Sequence, residues 1–295
     1  GGSILGGNAG SVLSGNQHPS VWNIRESEPW ATYYDNFQGP MRELALSTFA
    51  IPYRVVFVAN STRRAWSPLD QMGNFTTIQN ALPTGYRGSP ENARVLARQR
   101  LGIDDDQVMI LNVGTICDRK NQREMIEGVD LIPEAQRSKC VVYLVGARPG
   151  EYLNSLNELI ASKSWRQQVI VVPETGETAD FWSAADVFCF TSKLESYPRV
   201  ILEAMSEDLP IVTTPVFGVA EQVSEGHNAL LYPIGDIEKL ASNLTMVISD
   251  PALRRHMADI SSAVLRTLNT HDELLTSYAA IFRAARESSI PGGPD

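Results

Sequence analysis

The chain has 295 residues, 43% hydrophobic and 20% charged, and its 25 Lys and Arg against 34 Asp and Glu give a formal charge of −9. Those proportions exclude a disordered or coiled-coil chain, and the length leaves room for about two domains. An acidic chain without a basic block is a poor nucleic-acid partner, because phosphate neutralisation supplies most of that affinity, and no apolar run approaches the ~18 residues of a membrane helix.

Residues 1–17 (GGSILGGNAGSVLSGNQ) read as a loose, Gly-rich lead-in that matches neither G-x-G-x-x-G nor G-x-x-x-x-G-K-[ST]. The chain opens Gly1-Gly2 without methionine or a secretory apolar segment, as a piece of a longer protein would. Short apolar runs lie at Ser20–Ile24 and Arg54–Ala59, the second followed by Asn60-Ser61-Thr62, good helix N-cap chemistry. Asn80-Ala81-Leu82-Pro83 reads as a turn that closes this part.

From about residue 84 the pattern becomes regular. Apolar runs at Val108–Val113, Val141–Val145, Val169–Val172, Val187–Thr191, Ile211–Thr214 and Ala229–Tyr232 alternate with helical segments. Continuous β-branched runs suit strands covered on both faces. Asp236 is placed to cap one helix, and Asp250-Pro251 to start another. The alternation predicts an α/β fold with a doubly wound parallel sheet.

In such a sheet, ligands bind outside the carboxyl ends of the strands. The loop after the first run carries Gly114, Thr115, Arg119 and Lys120, with Lys120 just before a helix. The third ends in Pro173-Glu174, and the fourth leads into Glu195-Ser196-Tyr197-Pro198-Arg199 and on to Glu203. Pro198 is placed as the first residue of a helix whose free N–H groups would attract anionic oxygen. Eight residues at ~100° each leave Glu195 and Glu203 only ~80° apart around that helix, so both can face one elongated ligand, and a carboxylate is a good acceptor for vicinal ribose hydroxyls. Alone, an E-x₇-E pair reads first as two solvated surface glutamates. Cys117, Cys140 and Cys189 are widely spaced, and His18, His227, His256 and His271 lack metal-ligand spacing, so no disulfide framework and no metal are expected.

Val108 to about Ala263 resembles the C-terminal domain of the retaining GT-B glycosyltransferases, specifically glycosyltransferase family 4. The segments LNVGTICDRKNQREMIEGV (111–129), VVYLVGARPG (141–150), FWSAADVFCFTSKLESYPRVILEAMSEDLPIVTT (181–214), FGVAEQV (217–223) and GHNALLYPIGDIEKLASNL (226–244) carry the resemblance, in the family's order. SVWNIRESE (20–28), VVFVANSTRRAW (55–66) and TIQNALP (77–83) look like the closing strands and linker of its N-terminal domain.

The resemblance implies a division into 1–83 (partial acceptor-side α/β region and linker), 84–270 (nucleotide-sugar-binding Rossmann-like domain) and 271–295 (a helix crossing back, and tail). It implies that Glu195 faces the donor sugar, Glu203 holds the ribose, Lys120 neutralises the diphosphate, the backbone of Ser196–Arg199 holds the same diphosphate, and Pro173–Glu174 lies near the base. The sequence departs from the family at Thr115, where an Arg is usual, and at Asn121 and Asp208, where Gly is usual. Arg119 or Arg199 are the candidates to replace the missing cation.

The implied function is metal-independent, retaining transfer from a UDP- or GDP-linked sugar to a glycan, lipid-linked or small-molecule acceptor. The expected place is the cytoplasm, with peripheral association at the inner face of the membrane. The alternatives are a nucleotide-sugar-binding half without turnover and a sugar-nucleotide epimerase of the same fold. A dinucleotide-dependent dehydrogenase is disfavoured, since no strand ends in G-x-G-x-x-G.

Overall fold

The computed structural model describes residues 19–288 apart from 36, 38, 87 and 91; the lead-in of residues 1–17 lies outside them. The chain divides into two compact units. The first comprises the described residues of Gly1–Thr84, Glu195–Tyr197 and Asn269–Asp295, the second Gly85–Leu194 and Pro198–Leu268.

The first unit is a parallel sheet in the order β1 (Val21–Ile24), β2 (Arg54–Phe57), β3 (Phe75–Thr77). Its helices α1 (Trp30–Tyr33), α2 (Pro40–Ser47) and α3 (Asn60–Trp66) lie between the strands in the chain. An aromatic core holds it: Trp22 packs edge-on to Phe49 at 5.4 Å between ring centroids, and Phe57 meets Phe75 at 5.0 Å. Asn60-Ser61-Thr62 do not cap α3. Ala59, still extended at φ −143° and ψ 147°, is the cap, without a side-chain hydrogen bond, because the helix already begins at Asn60, with two residues between it and β2, and so takes in Asn60, Ser61 and Thr62.

The second unit carries β4 (Val108–Val113), β5 (Cys140–Ala147), β6 (Val169–Pro173), β7 (Val187–Phe190), β8 (Ile211–Thr213) and β9 (Ala229–Leu231). All pairs are parallel, in the order β6-β5-β4-β7-β8-β9. Every predicted run is a strand; β5 runs further than its apolar stretch, from Cys140 to Ala147. α4 (Ala93–Leu101) precedes these strands; α5 (Gln122–Asp130), α6 (Glu134–Arg137), α7 (Glu151–Ala161), α8 (Ala179–Ala184) and α9 (Arg199–Ser206) lie between them in the chain; α10 (Ile237–Ser249) and α11 (Pro251–Leu265) follow. α12 (His271–Ser288) returns to the first unit, where Asn23 Nδ2 donates to Tyr278 Oη at 2.6 Å.

The caps at Asp236 and Asp250 form as the sequence predicts: Asp236 accepts from Lys239 N, and Asp250 from Ala252 N and Leu253 N. A buried ionic hub secures α4. Arg98, 4% exposed, meets the Asp186 carboxylate at 3.1 Å and donates to Ala184 O and Gln107 O, while Asp186 also accepts from Met109 N at the start of β4.

Candidate functional site

The strand order reverses direction between β4 and β7, so the topological switch point lies there. The two strands pair only at Ile110↔Val187 and Leu111↔Phe188. Beyond that register the buried Asn112 takes over, donating from Nδ2 to Cys189 O at 2.7 Å. The strands can therefore splay at their carboxyl ends without leaving that backbone carbonyl unpaired.

The turn after β4 is stapled to the loop after β7. Thr191 Oγ1 donates to Lys120 O at 3.0 Å and Asn121 O at 2.9 Å, Lys193 N to Arg119 O at 2.8 Å, and Arg119 Nη1 to Leu194 O at 2.9 Å. Lys120 Nζ stands 4.6 Å from the centroid of the Phe190 ring. Gly114 lines the same spot, where an added Cβ would fall 3.6 Å from Lys120 Cε. Behind it, Gly146 (φ +125°) must be glycine, because a Cβ there would lie 2.3 Å from Gly114 O.

Asn121 and Asp208, which replace the usual glycines, both adopt the left-handed conformation at φ 54°. Asn and Asp enter this region more easily than other side chains, so both turns survive the replacement. Asn121 also donates from Nδ2 to Glu124, a carboxylate 3% exposed that accepts from Gly235 N as well. Burial pushes the Glu124 pKa up.

Pro198 is not the first helical residue: it is the N-cap of α9, extended at φ −71° and ψ 128°, and Arg199 begins the helix. No side chain caps α9, so neither Ser196 nor Tyr197 serves there. The residue before a proline is driven out of the helical region, which keeps Tyr197 and everything before it in the loop. Glu195 therefore stands outside the helix, and the ~80° helical relationship to Glu203 does not hold. Glu195 is 7% exposed and, with Ser196 and Tyr197, groups with the first unit. There Ser196 Oγ donates to Arg25 O at 3.2 Å, and Asn80 Nδ2 to Tyr197 O at 2.8 Å.

Glu203 sits in the second turn of α9, half-buried, and burial raises its pKa against the partial offset of the Arg199 guanidinium. Tyr86 lies near it; burial and the charges of Glu203 and Glu207 push its phenol up to about 12. Glu174 lies at the end of β6, two strands from Lys120, in a two-pronged ion pair with Arg148 that holds its carboxyl below the usual range. Arg119 is committed to Leu194 O, and Arg199 is exposed beside Glu203. Tyr86, Phe190, Thr191 and Glu124 escaped the sequence reading. Thr191 and Phe190 closed a strand pattern, and only their cross-loop contacts assign them to the site.

Among the described residues, no three of His, Cys, Asp and Glu converge to hold a metal ion, and no helix is long and apolar enough to cross a membrane.

The sequence model of the family described as "Glycosyl transferases group 1" matches residues 94–263. The chain is 29% identical over 168 residues to the lipopolysaccharide core biosynthesis glycosyltransferase LpsE of Rhizobium meliloti (strain 1021), covering 56% of this chain and 47% of that protein. It is 27% identical over 183 residues to the lipopolysaccharide glucosyltransferase WaaG of Escherichia coli (strain K12), covering 59% and 48%. The chain thus spans about half the length of these curated relatives. Among solved structures, Anabaena Alr3699/HepE in complex with UDP and glucose superposes with a TM-score of 0.80 at 19% identity, over 97% of this chain and 74% of that one. WaaG superposes with a TM-score of 0.72 at 18% identity, over 90% and 76%.

Proposed function

We propose, for a chain that belongs to the glycosyl transferases group 1 family and has the GT-B fold, that it binds a nucleotide-diphosphate sugar at the β4–β7 switch point and serves metal-independent, retaining transfer of the family 4 type. The Lys120 turn carries this reading: a lysine fixed by backbone staples and an aromatic face, at the switch point of a parallel sheet, next in the sheet to the strand that leads into α9. The UDP and UDP-glucose of the HepE structures support a uridine nucleotide.

In the proposed reaction the bond between the sugar's anomeric carbon and the β-phosphate oxygen breaks, its electron pair passing to that oxygen, while the acceptor hydroxyl oxygen bonds the same carbon from the same face and gives its proton to the departing phosphate. Lys120 and the first-turn amides of Arg199 and Val200 in α9 meet the growing charge. Glu203 accepts from the ribose hydroxyls, Glu195 faces the donor sugar, Ser196 and Tyr197 lend backbone to the diphosphate, and Pro173–Glu174 border the base. With Thr115 in place of the usual Arg, Lys120 carries more of the task. The names of the lipopolysaccharide relatives favour a carbohydrate or lipid-linked acceptor; the place proposed for the reaction is the cytoplasm, at the inner face of a membrane.

Calorimetric titration with UDP, GDP, ADP and their sugars, followed by transfer assays, tests the reading. One nucleotide series should bind and support transfer. Binding without transfer would favour a donor-binding half that needs more chain for turnover, and no binding would remove the proposal.

A further inference from the structure

Three described residues other than glycine have a positive φ: Asn121 and Asp208 at 54° and Phe217 at 41°. Asn and Asp suit that region, whereas for a bulky ring it is strained and persists only where the surroundings impose it. Phe217 is half-buried, so part of the residue stays open to solvent, and among the described residues it forms no ring pair.

Its loop is nevertheless held at both ends. Phe217 follows the carboxyl end of β8, where Thr214 Oγ1 donates to Ser192 O at 2.6 Å. The turn Phe217–Val219 closes with Val219 N on Val216 O at 3.0 Å, and Gln222, 1% exposed, donates from Nε2 to Pro198 O, the cap of α9, at 3.0 Å. The strand order supplies a direction along the carboxyl edge: β6, then β5, β4, β7 and β8. A donor with its base at Glu174 on β6 and its diphosphate at the β4–β7 switch point brings its glycosyl unit next to β8.

We propose that Phe217 determines specificity for the glycosyl unit of the donor, its ring packing against the C–H face of the pyranose. The strained backbone holds the ring for that contact. An aromatic side chain offers a large, rigid apolar face for this purpose. The proposal rests on the donor site described above.

The test is calorimetric titration of the wild type and of Phe217→Leu, Phe217→Asn and Phe217→Tyr with UDP, GDP and ADP, bare and as glucose, galactose and N-acetylglucosamine esters. Leu keeps apolar bulk without the ring, Asn suits the positive φ, and Tyr keeps the ring. The wild type should bind its preferred nucleotide sugar more tightly than the bare nucleotide. The Leu and Asn variants should lose that margin by about tenfold, the scale of one aromatic contact, with bare-nucleotide Kd unchanged within about twofold, and Tyr should retain it. The proposal is overturned if the ringless variants keep the wild-type margin, or if they lose bare-nucleotide affinity equally. A wild type that gains nothing from the sugar overturns it while leaving the nucleotide site standing. A wild type that binds no nucleotide at all removes the donor site, and this proposal with it.

Discussion

The ammonium of Lys120 lies 4.6 Å from the centroid of Phe190, the last residue of the neighbouring strand β7. The next residue along, Thr191, donates to the Lys120 carbonyl at 3.0 Å. Backbone and side chain of the lysine are thus both set by β7, so its charge stands in place before any ligand arrives. A preorganised charge stabilises a developing one without reorganisation at the moment of reaction.

Lys120→Ala should lower kcat by about 10²–10³-fold, the scale of losing one preorganised partner, with donor affinity falling less because the phosphate charge grows toward the transition state. Transfer kinetics and donor Kd measured on a chain that turns over separate the two effects. A kcat within about threefold of wild type would remove Lys120 from the diphosphate site.

Glu203→Ala should weaken nucleotide-diphosphate binding by about 1–3 kcal/mol, the range for hydrogen bonds to a charged acceptor. Unchanged affinity would leave it a surface residue. Burial raises the Glu203 pKa, so the folded chain binds more protons there than the unfolded one, and stability declines as pH rises from the unfolded value through the folded one. Glu203→Gln should therefore match the wild-type Tm near pH 4 and exceed it at pH 7.5. Nucleotide affinity of the wild type should rise over the window in which the carboxylate forms.

Asn121→Gly and Asp208→Gly should diverge, although both residues sit at φ 54°. Asn121 supplies a donor to the buried Glu124; its loss should cost about 1–2 kcal/mol. Asp208 is exposed, and its carboxylate accepts from Ser262 Oγ at 2.7 Å. Glycine should be neutral there within about 0.5 kcal/mol, or slightly stabilising, since it enters the left-handed region without strain. Urea unfolding of the two variants decides, and equal effects would contradict the burial argument.

Arg98→Ala should cost about 1–3 kcal/mol, because it leaves the Gln107 carbonyl without its donor, while Arg94 still pairs with Asp186 at 2.6 Å and donates to Ala184 O. Chemical unfolding monitored by tryptophan fluorescence measures this. A loss below about 1 kcal/mol would show that water replaces the guanidinium.

Nucleotide binding and transfer should survive EDTA, as the cationic side chain and helix amides are proposed to meet the diphosphate. Loss of activity with rescue by Mn²⁺ or Mg²⁺ would contradict the mechanism.

What could be read along the chain was decided by forces acting within a few residues. Val108–Val113 is a strand because β-branched and apolar residues crowd together, and Asp236 and Asp250 cap helices through amides two or three positions away. Lys120, Glu203 and the loop of Glu195 stood out by the same local chemistry. The switch point between β4 and β7, the seat of Lys120 on Phe190, and the grouping of Glu195–Tyr197 with the first unit rest on partners some 70 to 170 residues apart. Local pattern carries no record of such partners, because each side chain would look equally solvated without them. Even the departures at Asn121 and Asp208 were visible only as missing glycines, and the tertiary structure alone set their φ at a value that Asn and Asp tolerate.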